Sequence, residues 1–356
     1  MSLLYNDRHD KVIKTLLDQN IKSLSSEFYK IFDKTDYVST YSKLSYTAHT
    51  FNNKLRFTLL VGSDLVTNLV LVLPKIFSIN LINRVELLIG DNLINTIFIN
   101  DIHHKLTKIL YPSNDLYDTY ELINSNNSDE IIILLSLLTE MIPFLKLYKN
   151  EIYIDIILDK DDTNNISNIS NISNIFNRIN KSNIYRKTDI KLYGTKYDIT
   201  NMTKRKKFYE ESYNFLTVQT QYIKNQQINI GRNKIIINFN NPIFLLSICG
   251  LNKSNILNIH LKLIPFEYIS EYDTDDIFFE LNYEEIYPNL IIIYFSNKLN
   301  TENLFLNESI NFSKFCQKIL IIHTKQEHIN CYVDILAFNK NISVYSKGKY
   351  SLQFSS

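Results

Sequence analysis

The sequence predicts an all-β protein of two consecutive antiparallel domains, each a β-sandwich or a jelly roll. Apolar runs of strand length recur in both halves, and short turns rich in Asn, Ser and Gly separate them. The strand–helix alternation of parallel α/β sheets does not occur. A length of 356 residues suits two domains of moderate size, and 45% hydrophobic residues allow a sizeable core in each.

The chain divides, on these patterns, into an arm, two domains and a linker. We predict an N-terminal arm over residues 1–25, which is either an amphipathic helix or a mobile extension. The first domain covers residues 26–216 and the second residues 227–356, joined by a linker at 217–226. The repeat NISNISNISNI marks a polar surface loop within about 159–182 of the first domain.

In the first domain, two segments predict hairpins. LRFTLLVGSDLVTNLVLVLPKI has a turn at residues 62–64, and RVELLIGDNLINTIFI has one at residues 90–92. Gly, Asn and Asp tolerate the positive φ that short turns require. EIYIDIIL (residues 151–158) alternates as a half-buried strand, and DIKLYGTKYDI predicts another that ends at Ile199.

Between the domains, TKRKKFYEESYNFLTVQTQYI predicts a helix. Thr200 or Asn201 would cap it, and its apolar positions are Phe208, Phe215 and Leu216. A second series of strands follows from Gln227, with the sequences NKIIINFNNP, FLLSICG, ILNIHLKLIPF, LIIIYFS, KILIIHT and CYVDILAF.

Composition excludes several classes of protein. A net charge of +1 gives no electrostatic attraction to nucleic acid or to an anionic membrane. Three cysteines are too few for a disulfide scaffold in a chain of this length. The N-terminus carries charges where a signal peptide has its apolar segment, and no apolar run reaches the ~18 residues of a membrane-spanning helix. We therefore expect a soluble protein made inside the cell.

Two sets of side chains are candidate metal ligands. Asp101, His103 and His104 are close in sequence, but adjacent histidines on a strand point to opposite faces, so we interpret them as surface or turn residues. A second set has the ligand types of a zinc site but lacks its paired spacing; it comprises Cys316, His323, His328 and Cys331. We assign no metal residue.

The basic run Lys204–Lys207 resembles a nucleic-acid-binding patch, but Glu210 and Glu211 follow it, so we interpret it as a solvated helix face. Glycosylation sequons, which Asn-rich sequence generates by chance, include Asn201, Asn307 and Asn341. No phosphate-binding loop, nucleophile elbow or H-E-x-x-H motif occurs. We expect no enzyme, no cofactor and no catalytic residue.

An ordered series of motifs resembles one family, the double jelly-roll major capsid proteins of nucleocytoplasmic large DNA viruses. The matching segments run from the N-terminal part to the C-terminus and are SEFYKIFDKTDYVSTY, LLVGSDLVTNLVLVLP, INRVELLIGDNLI, LLSLLTEMIPFLKLYKNEIYIDI, MTKRKKFYEESYNFLTVQTQY, NKIIINFNNPIFLLSICG, ESINFSKFCQKILI and VDILAFNKNISVYSKGKYSLQFSS. The seventh is similar to the family's NFSR motif, and the last is similar to its closing YAxNYNxLRIxSGMxGLAFS. Together they extend over residues 26–356.

The resemblance implies two eight-stranded jelly rolls with a few short helices, and a structural capsid protein that forms homotrimeric, pseudo-hexameric capsomers of an icosahedral shell. It implies contacts with neighbouring capsomers or minor capsid proteins, no direct nucleic-acid binding and possible proximity to an internal viral membrane. The implied location is the virion, assembled in a viral factory of the host cytoplasm.

Several features depart from the family pattern: Asp91 replaces a glycine, Lys314 replaces the arginine of NFSR, both family tryptophans are missing and the outward loops are short. These departures leave open a minor capsid paralogue or a scaffold protein of virion assembly. A β-sandwich module that binds glycans is a further alternative.

Overall fold

The structure is a computed structural model that describes residues 24–51, 54–60, 62–74, 82–98, 130–135, 139, 141–158, 190–265, 277–295, 308–325, 330–346 and 348–352. The predicted N-terminal helix and the NISNISNISNI loop lie outside these residues. In the part that is described, no helix is long and apolar enough to cross a membrane.

Antiparallel strands make up most of the described chain. The α-helices are α1 (Leu24–Ile31) and α2 (Met202–Glu210). The strands before α2 are β1 (Tyr37–Lys43), β2 (Tyr46–Phe51), β3 (Lys54–Leu59), β4 (Leu65–Pro74), β5 (Ile82–Ile89), β6 (Asn92–Phe98), β7 (Glu130–Leu134), β8 (Met141–Ile142), β9 (Ile152–Leu158) and β10 (Lys191–Ile199).

Strands continue after α2 to the end of the described chain. They are β11 (Tyr213–Ile228), β12 (Arg232–Ile236), β13 (Pro242–Cys249), β14 (Ile256–Pro265), β15 (Ile277–Glu280), β16 (Tyr283–Tyr287), β17 (Leu290–Tyr294), β18 (Ile310–Asn311), β19 (Phe315–Thr324), β20 (Cys331–Ser346) and β21 (Lys349–Leu352). Short 3-10 helices occupy Phe144–Lys146, Lys253–Asn255 and Phe312–Lys314.

The chain forms two compact units. The N-terminal unit contains Ser23–Phe215 and also Ser343–Leu352, and the C-terminal unit contains Leu216–Ile342. Residues 217–226, which the sequence analysis assigns to a linker, form part of strand β11. The last strand of the described residues, β21, thus belongs to the N-terminal unit.

The strand order of the N-terminal unit is that of a jelly roll. One sheet has the order β1-β10-β4-β7, with β8 paired to β4, and the other has the order β2-β3-β9-β5-β6. When the eight principal strands are numbered along the chain, leaving out β2 and β8, the sheets read 1-8-3-6 and 2-7-4-5. Consecutive principal strands therefore lie in different sheets, except for the fourth and fifth, which pair within one sheet, as in two interlocked Greek keys.

The C-terminal unit has the same order. Its larger sheet runs β11-β20-β13-β17-β16, and its four-stranded sheet runs β12-β19-β14-β15. When its eight principal strands are numbered along the chain from β11, leaving out β16 and β18, the two sheets again read 1-8-3-6 and 2-7-4-5. The prediction of an all-β protein with two consecutive antiparallel jelly rolls and a few short helices is confirmed.

One predicted hairpin is present and the other is wrong. Strands β5 and β6 pair antiparallel around Gly90, whose φ of +59° is the left-handed conformation the turn requires. Strands β3 and β4 lie in different sheets, so residues 62–64 carry the chain from one sheet to the other. Local turn chemistry does not distinguish these two connections, because both reverse the chain direction.

The predicted helix is also shorter than its sequence pattern. Helix α2 ends at Glu210, and Phe215 and Leu216 are buried residues of strand β11. Buried apolar side chains at these two positions fit either element, because the pattern is too short to separate a helical from a strand period.

The core of the C-terminal unit lies between its two sheets. All eight residues of β13 are buried, and this strand is hydrogen-bonded to β20 and β17 on either side. The opposite sheet contributes alternate residues such as Ile259, Leu261 and Leu263 of β14. A strand at the centre of a covered sheet thus reads as the continuous apolar run PIFLLSIC.

Gly250→Ala is expected to destabilise the protein by about 1–3 kcal/mol. Gly250 has a φ of +97°, and a Cβ atom there would lie 2.6 Å from the carbonyl oxygen of Tyr332. Urea denaturation measures the effect. Gly231→Ala is the control for strain alone, because Gly231 also has a positive φ but no heavy atom lies within 4 Å of its Cβ position. Equal losses in both variants would contradict the steric contribution.

Candidate functional site

The described zinc candidates do not converge. Cys316 and His323 lie seven positions apart on strand β19, so their Cα atoms are roughly 23 Å apart at about 3.3 Å per residue. Cys331 begins β20, a strand of the other sheet, and His328 lies outside the described residues. Among the residues described, no group of three or more His, Cys, Asp or Glu side chains could hold a metal ion.

The remaining candidates of the sequence analysis lie apart from one another. Asp101, His103, His104 and Asn307 are outside the described residues. Asn201 caps helix α2, and Asn341 is fully buried and donates to Gln219 Oε1 at 2.6 Å. These two sequon asparagines therefore have structural roles.

Helix α2 is held to the N-terminal unit by a set of polar contacts, here called the helix clamp, formed by Asp36, Asp64, Asn201, Lys204 and Arg205. Asn201 accepts the backbone N–H of Lys204 and donates through Nδ2 to Asp36 at 2.8 Å. Lys204 Nζ donates to Asp36 at 2.6 Å, and Arg205 donates to both carboxylate oxygens of Asp64 at 2.8–3.2 Å. Both carboxylates are buried.

The basic run Lys204–Lys207 thus divides into two pairs. Lys204 and Arg205 are bound to buried carboxylates, so the solvated-face interpretation is wrong for them. Lys206 and Lys207 are exposed, and each lies 3.9 Å from a glutamate one turn later. The run is neutralised within the N-terminal unit, which removes the reason to assign it to nucleic acid.

The clamp makes the N-terminal unit sensitive to acid. The hydrogen bond from Lys204 is the largest of several causes that lower the pKa of Asp36 to about 2. Because the pKa in the folded state is below the unfolded value of about 3.9, this stabilisation is present above pH 4 and is lost as the pH falls from 4 to 2.

We expect Asp36→Asn to lower stability at pH 7 and to flatten the pH dependence between pH 4 and 2. Urea denaturation midpoints measured across this range test the prediction. Asp33→Asn is the matched control, because Asp33 also contacts Lys204, at 3.2 Å, but its side chain is 82% exposed. Parallel pH profiles of Asp36→Asn and the unmodified protein would refute the assignment.

A buried lysine completes the attachment of the helix. Lys146 Nζ donates to the carbonyl oxygens of Phe208 and Glu211 at the C-terminal end of α2, the latter at 2.7 Å. It also lies 4.4 Å from the ring centroid of Phe208 and 4.2 Å from that of Tyr213. The end of a helix has unsatisfied carbonyls and a partial negative charge, so a cation is favourable there. Burial nevertheless lowers the pKa of Lys146 to about 8.

A second buried charge joins two strands of the N-terminal unit. Asp155 on β9 is fully buried and lies directly opposite Arg56 on β3. Arg56 binds both carboxylate oxygens at 2.7 Å, and Lys54 Nζ adds a contact of 3.0 Å. The Arg56 guanidinium also lies 4.3 Å from the centre of the Tyr153 ring. A one-residue slip of β3 would break every one of these contacts, so the cluster fixes the register.

Two of the resemblance motifs meet in the C-terminal unit. Asn311 of INFSK accepts the N–H of Ser313, which caps the 3-10 helix at 312–314. Asn241 of FNNP donates its backbone N–H to Ser313 Oγ at 2.8 Å and accepts the N–H of Phe312 at 3.1 Å. Asn241 has a φ of +66°, which asparagine tolerates. The motifs therefore encode a shared turn rather than a binding site.

Sequence reasoning missed the helix clamp and the aromatic cluster beneath it. Phe28 of helix α1 packs against rings from distant parts of the chain, at centroid distances of 4.8–6.5 Å; these are Phe32, Tyr37, Tyr197 and Phe208. A single sequence contains no signal that pairs residues near 30 with residues near 200. A signal did exist for Asp155, which is an acidic residue within the apolar run IYIDIIL.

The comparisons with known proteins agree with this topology. No protein-family model and no curated protein matches the sequence. The chain is similar to a quasi-atomic model of the PBCV-1 virus capsid, with 14% identity, a TM-score of 0.63 and coverage of 91% of this chain and 98% of that chain. It is similar to the crystal structure of PBCV-1 VP54, fitted into a reconstruction of the virophage Sputnik, with 14% identity, a TM-score of 0.64 and the same coverage.

Both jelly rolls fall within the matched length, because the likeness extends over nine-tenths of this chain. The strand orders 1-8-3-6 and 2-7-4-5 in each unit identify two jelly rolls independently of any similarity to another protein. The chain therefore has the double jelly-roll fold of the PBCV-1 capsid protein, as the sequence motifs predict.

Proposed function

We propose that this protein is a structural coat protein of a virus, which forms trimeric capsomers of an icosahedral capsid. The observation that carries the proposal is the tandem of two jelly rolls with identical strand order in one chain. The likeness to PBCV-1 VP54 over 98% of that chain supports it.

A tandem of this kind suits a shell because three copies supply six similar blocks. Six blocks around one axis approximate a hexagon, which tiles a surface without gaps. Each block is a pair of sheets packed about 10 Å apart, and its rigidity comes from the core and not from partners. The identity of the two strand orders is the feature that makes the six blocks alike.

The proposal includes a non-catalytic role and a location in the virion, with assembly in a viral factory of the host cytoplasm. Partners would be further copies of the chain, neighbouring capsomers and minor capsid proteins. The neutralised basic run on helix α2 supports the absence of direct nucleic-acid binding. We also propose that the two compact units, Ser23–Phe215 with Ser343–Leu352 and Leu216–Ile342, act as the two blocks of the capsomer.

Light scattering coupled to size-exclusion chromatography, followed by electron microscopy, tests the proposal on the purified full chain. We expect a trimer and, on a grid, tiles of hexagonal outline. A stable monomer at all accessible concentrations would overturn it.

Mass spectrometry of purified mature virions separates the coat from the scaffold alternative. A coat protein is present in mature particles, in a copy number that distinguishes a major from a minor component. A scaffold protein is found in assembly intermediates and is absent from mature particles. A trimer that never enters particles would therefore retain the fold assignment and reject the coat role.

A further inference from the structure

Two histidines lie side by side on the outer face of the four-stranded sheet of the C-terminal unit. His260 of β14 and His323 of β19 have ring centroids 5.5 Å apart. Their neighbours along each strand, Ile259 and Ile322, belong to the core between the sheets, so the two rings project from the opposite face. Both side chains are partly exposed. This face therefore presents two imidazoles that solvent and small ions can reach.

A third polar side chain shares this position on the sheet. Asn258 is directly opposite His323 and two residues before His260 on β14. Directly opposed residues project to the same face of a sheet, and so do residues two apart on one strand. The amide therefore lies on the same face as both imidazoles and next to them. We call Asn258, His260 and His323 the imidazole–amide cluster.

Two atoms of the cluster are buried and have no hydrogen-bond partner among the described residues. They are Asn258 Oδ1 and His260 Nδ1. Buried polar atoms are nearly always paired in native proteins, so an unpaired one indicates a ligand, a water or an ion. An amide oxygen can only accept, and a histidine nitrogen accepts when the other ring nitrogen carries the proton. Both atoms therefore offer a lone pair of the kind that a metal ion binds.

The separation of the two rings fits a shared ion. Zinc binds a histidine nitrogen at about 2.0–2.1 Å, which places the ion about 3.2 Å from the centroid of the ring. Two imidazoles on one tetrahedral ion then have centroids about 5.2 Å apart. The observed distance between His260 and His323 is 5.5 Å, with 77° between the ring planes. Rotation about the terminal side-chain torsion, which is broad in histidine, aims one nitrogen of each ring at a common point.

The surroundings keep His323 neutral and orient His260. Burial is the largest cause that lowers the pKa of His323, and the charges of His260 and Arg232 lower it further. The His323 ring is therefore neutral at pH 7, which is the form that coordinates a metal. Phe278 stacks on His260 with 4.7 Å between ring centroids, which restricts the orientation of that imidazole. Glu280, directly opposite His260, supplies a negative charge that partly offsets Arg232.

We propose that the imidazole–amide cluster binds one divalent transition-metal ion, such as zinc, with water as its remaining ligands. Two imidazoles and an amide oxygen suit Zn²⁺, Ni²⁺ or Cu²⁺ better than Mg²⁺ or Ca²⁺, which prefer oxygen ligands. The ion connects the two central strands of the sheet, β14 and β19, across its outer face. The site is independent of the proposed coat function, because all its ligands lie in one unit of one chain.

Calorimetric titration of the purified full chain with zinc tests the proposal. We expect one ion per chain at this site. His260→Gln and His323→Gln should each raise the dissociation constant by at least about tenfold, since each removes a metal ligand. Asn258→Asp should lower the dissociation constant, because a carboxylate binds zinc more strongly than an amide at the same position. His49→Gln is the matched control and leaves the constant unchanged, as His49 is an exposed histidine of the N-terminal unit.

The visible absorption of bound Co²⁺, which depends on the type and number of ligands, is the second measurement. It should change in both histidine variants and in Asn258→Asp, but not in His49→Gln. Circular dichroism confirms that each variant is folded, and if a glutamine variant unfolds, Asn258→Asp decides alone. Zinc bound by both histidine variants as tightly as by the unmodified chain overturns the site, as does an unchanged affinity in Asn258→Asp. An unmodified chain that binds no zinc below about 1 mM also overturns it. Failure to form a trimer bears on the proposed function alone.

Discussion

Asp155→Asn is expected to lower the free energy of unfolding by about 3–5 kcal/mol, which is a large part of the stability of an ordinary domain. The carboxylate is fully buried and accepts from Arg56 and Lys54. An amide of the same shape retains the packing but leaves both cations without their counter-ion. The expected loss of stability comes from cations that no longer have a counter-ion and not from a cavity.

Urea denaturation followed by tyrosine fluorescence measures this loss. Asp91→Asn is the matched control, because Asp91 lies in the turn of the same sheet and is exposed, so we expect a change within about 0.5 kcal/mol. Combining Asp155→Asn with Arg56→Met should recover part of the stability, since one stranded charge is then removed. A loss below 1 kcal/mol in Asp155→Asn would show that the pair contributes little.

Lys146→Met is expected to cost about 2–3 kcal/mol, because the carbonyl oxygens of Phe208 and Glu211 lose their buried donor. Methionine nearly retains the volume of the side chain, so the effect measures the ammonium. Lys149→Met in the same loop is the control, as Lys149 is exposed. Thermal unfolding of the three proteins gives the comparison, and an unchanged midpoint in Lys146→Met would contradict the capping role.

The difference in stability between the unmodified protein and Lys146→Met is expected to change with pH in a definite direction. The pKa of Lys146 in the folded protein, about 8, is below the unfolded value of about 10.4, so the unfolded chain holds the proton more tightly. The contribution of Lys146 to stability therefore rises between pH 8 and 10. Relative to Lys146→Met, the unmodified protein should gain stability over this interval. Tyrosines with raised pKa values are common to both proteins and cancel in the difference.

The sequence predicts the class of fold well because strand periodicity and turn residues act locally. The strands at EIYIDIIL and RVELLIGDNLINTIFI follow from alternation and from one glycine turn. The prediction that β3 and β4 form a hairpin was wrong. Whether β4 pairs with β3 or crosses to the opposite sheet depends on the strand order of the whole unit. The resemblance to a known family supplied that order, which periodicity could not.

The polar contacts were less predictable. The helix clamp joins residues 36 and 64 to residues 201–205, and no local pattern links positions so far apart. The basic run Lys204–Lys207 is evident in the sequence. Its ion pairs with Asp36 and Asp64 are not, because only the fold brings these carboxylates close to it.

The return of residues 343–352 to the N-terminal unit makes the folding of that unit depend on a segment that is synthesised after the whole of the C-terminal unit. Tyr345 and Tyr350 are buried there, and Tyr345 packs against Phe215 at 5.6 Å between ring centroids. A ribosome makes these residues after the rest of the N-terminal unit and after the C-terminal unit, so the N-terminal unit cannot complete its core until residue 352 has been made. A chain terminated after Ile342 should be cleaved by protease within the N-terminal unit under conditions that spare the full chain. Chains that stop before residue 343 would then be recognised and removed as incompletely folded products.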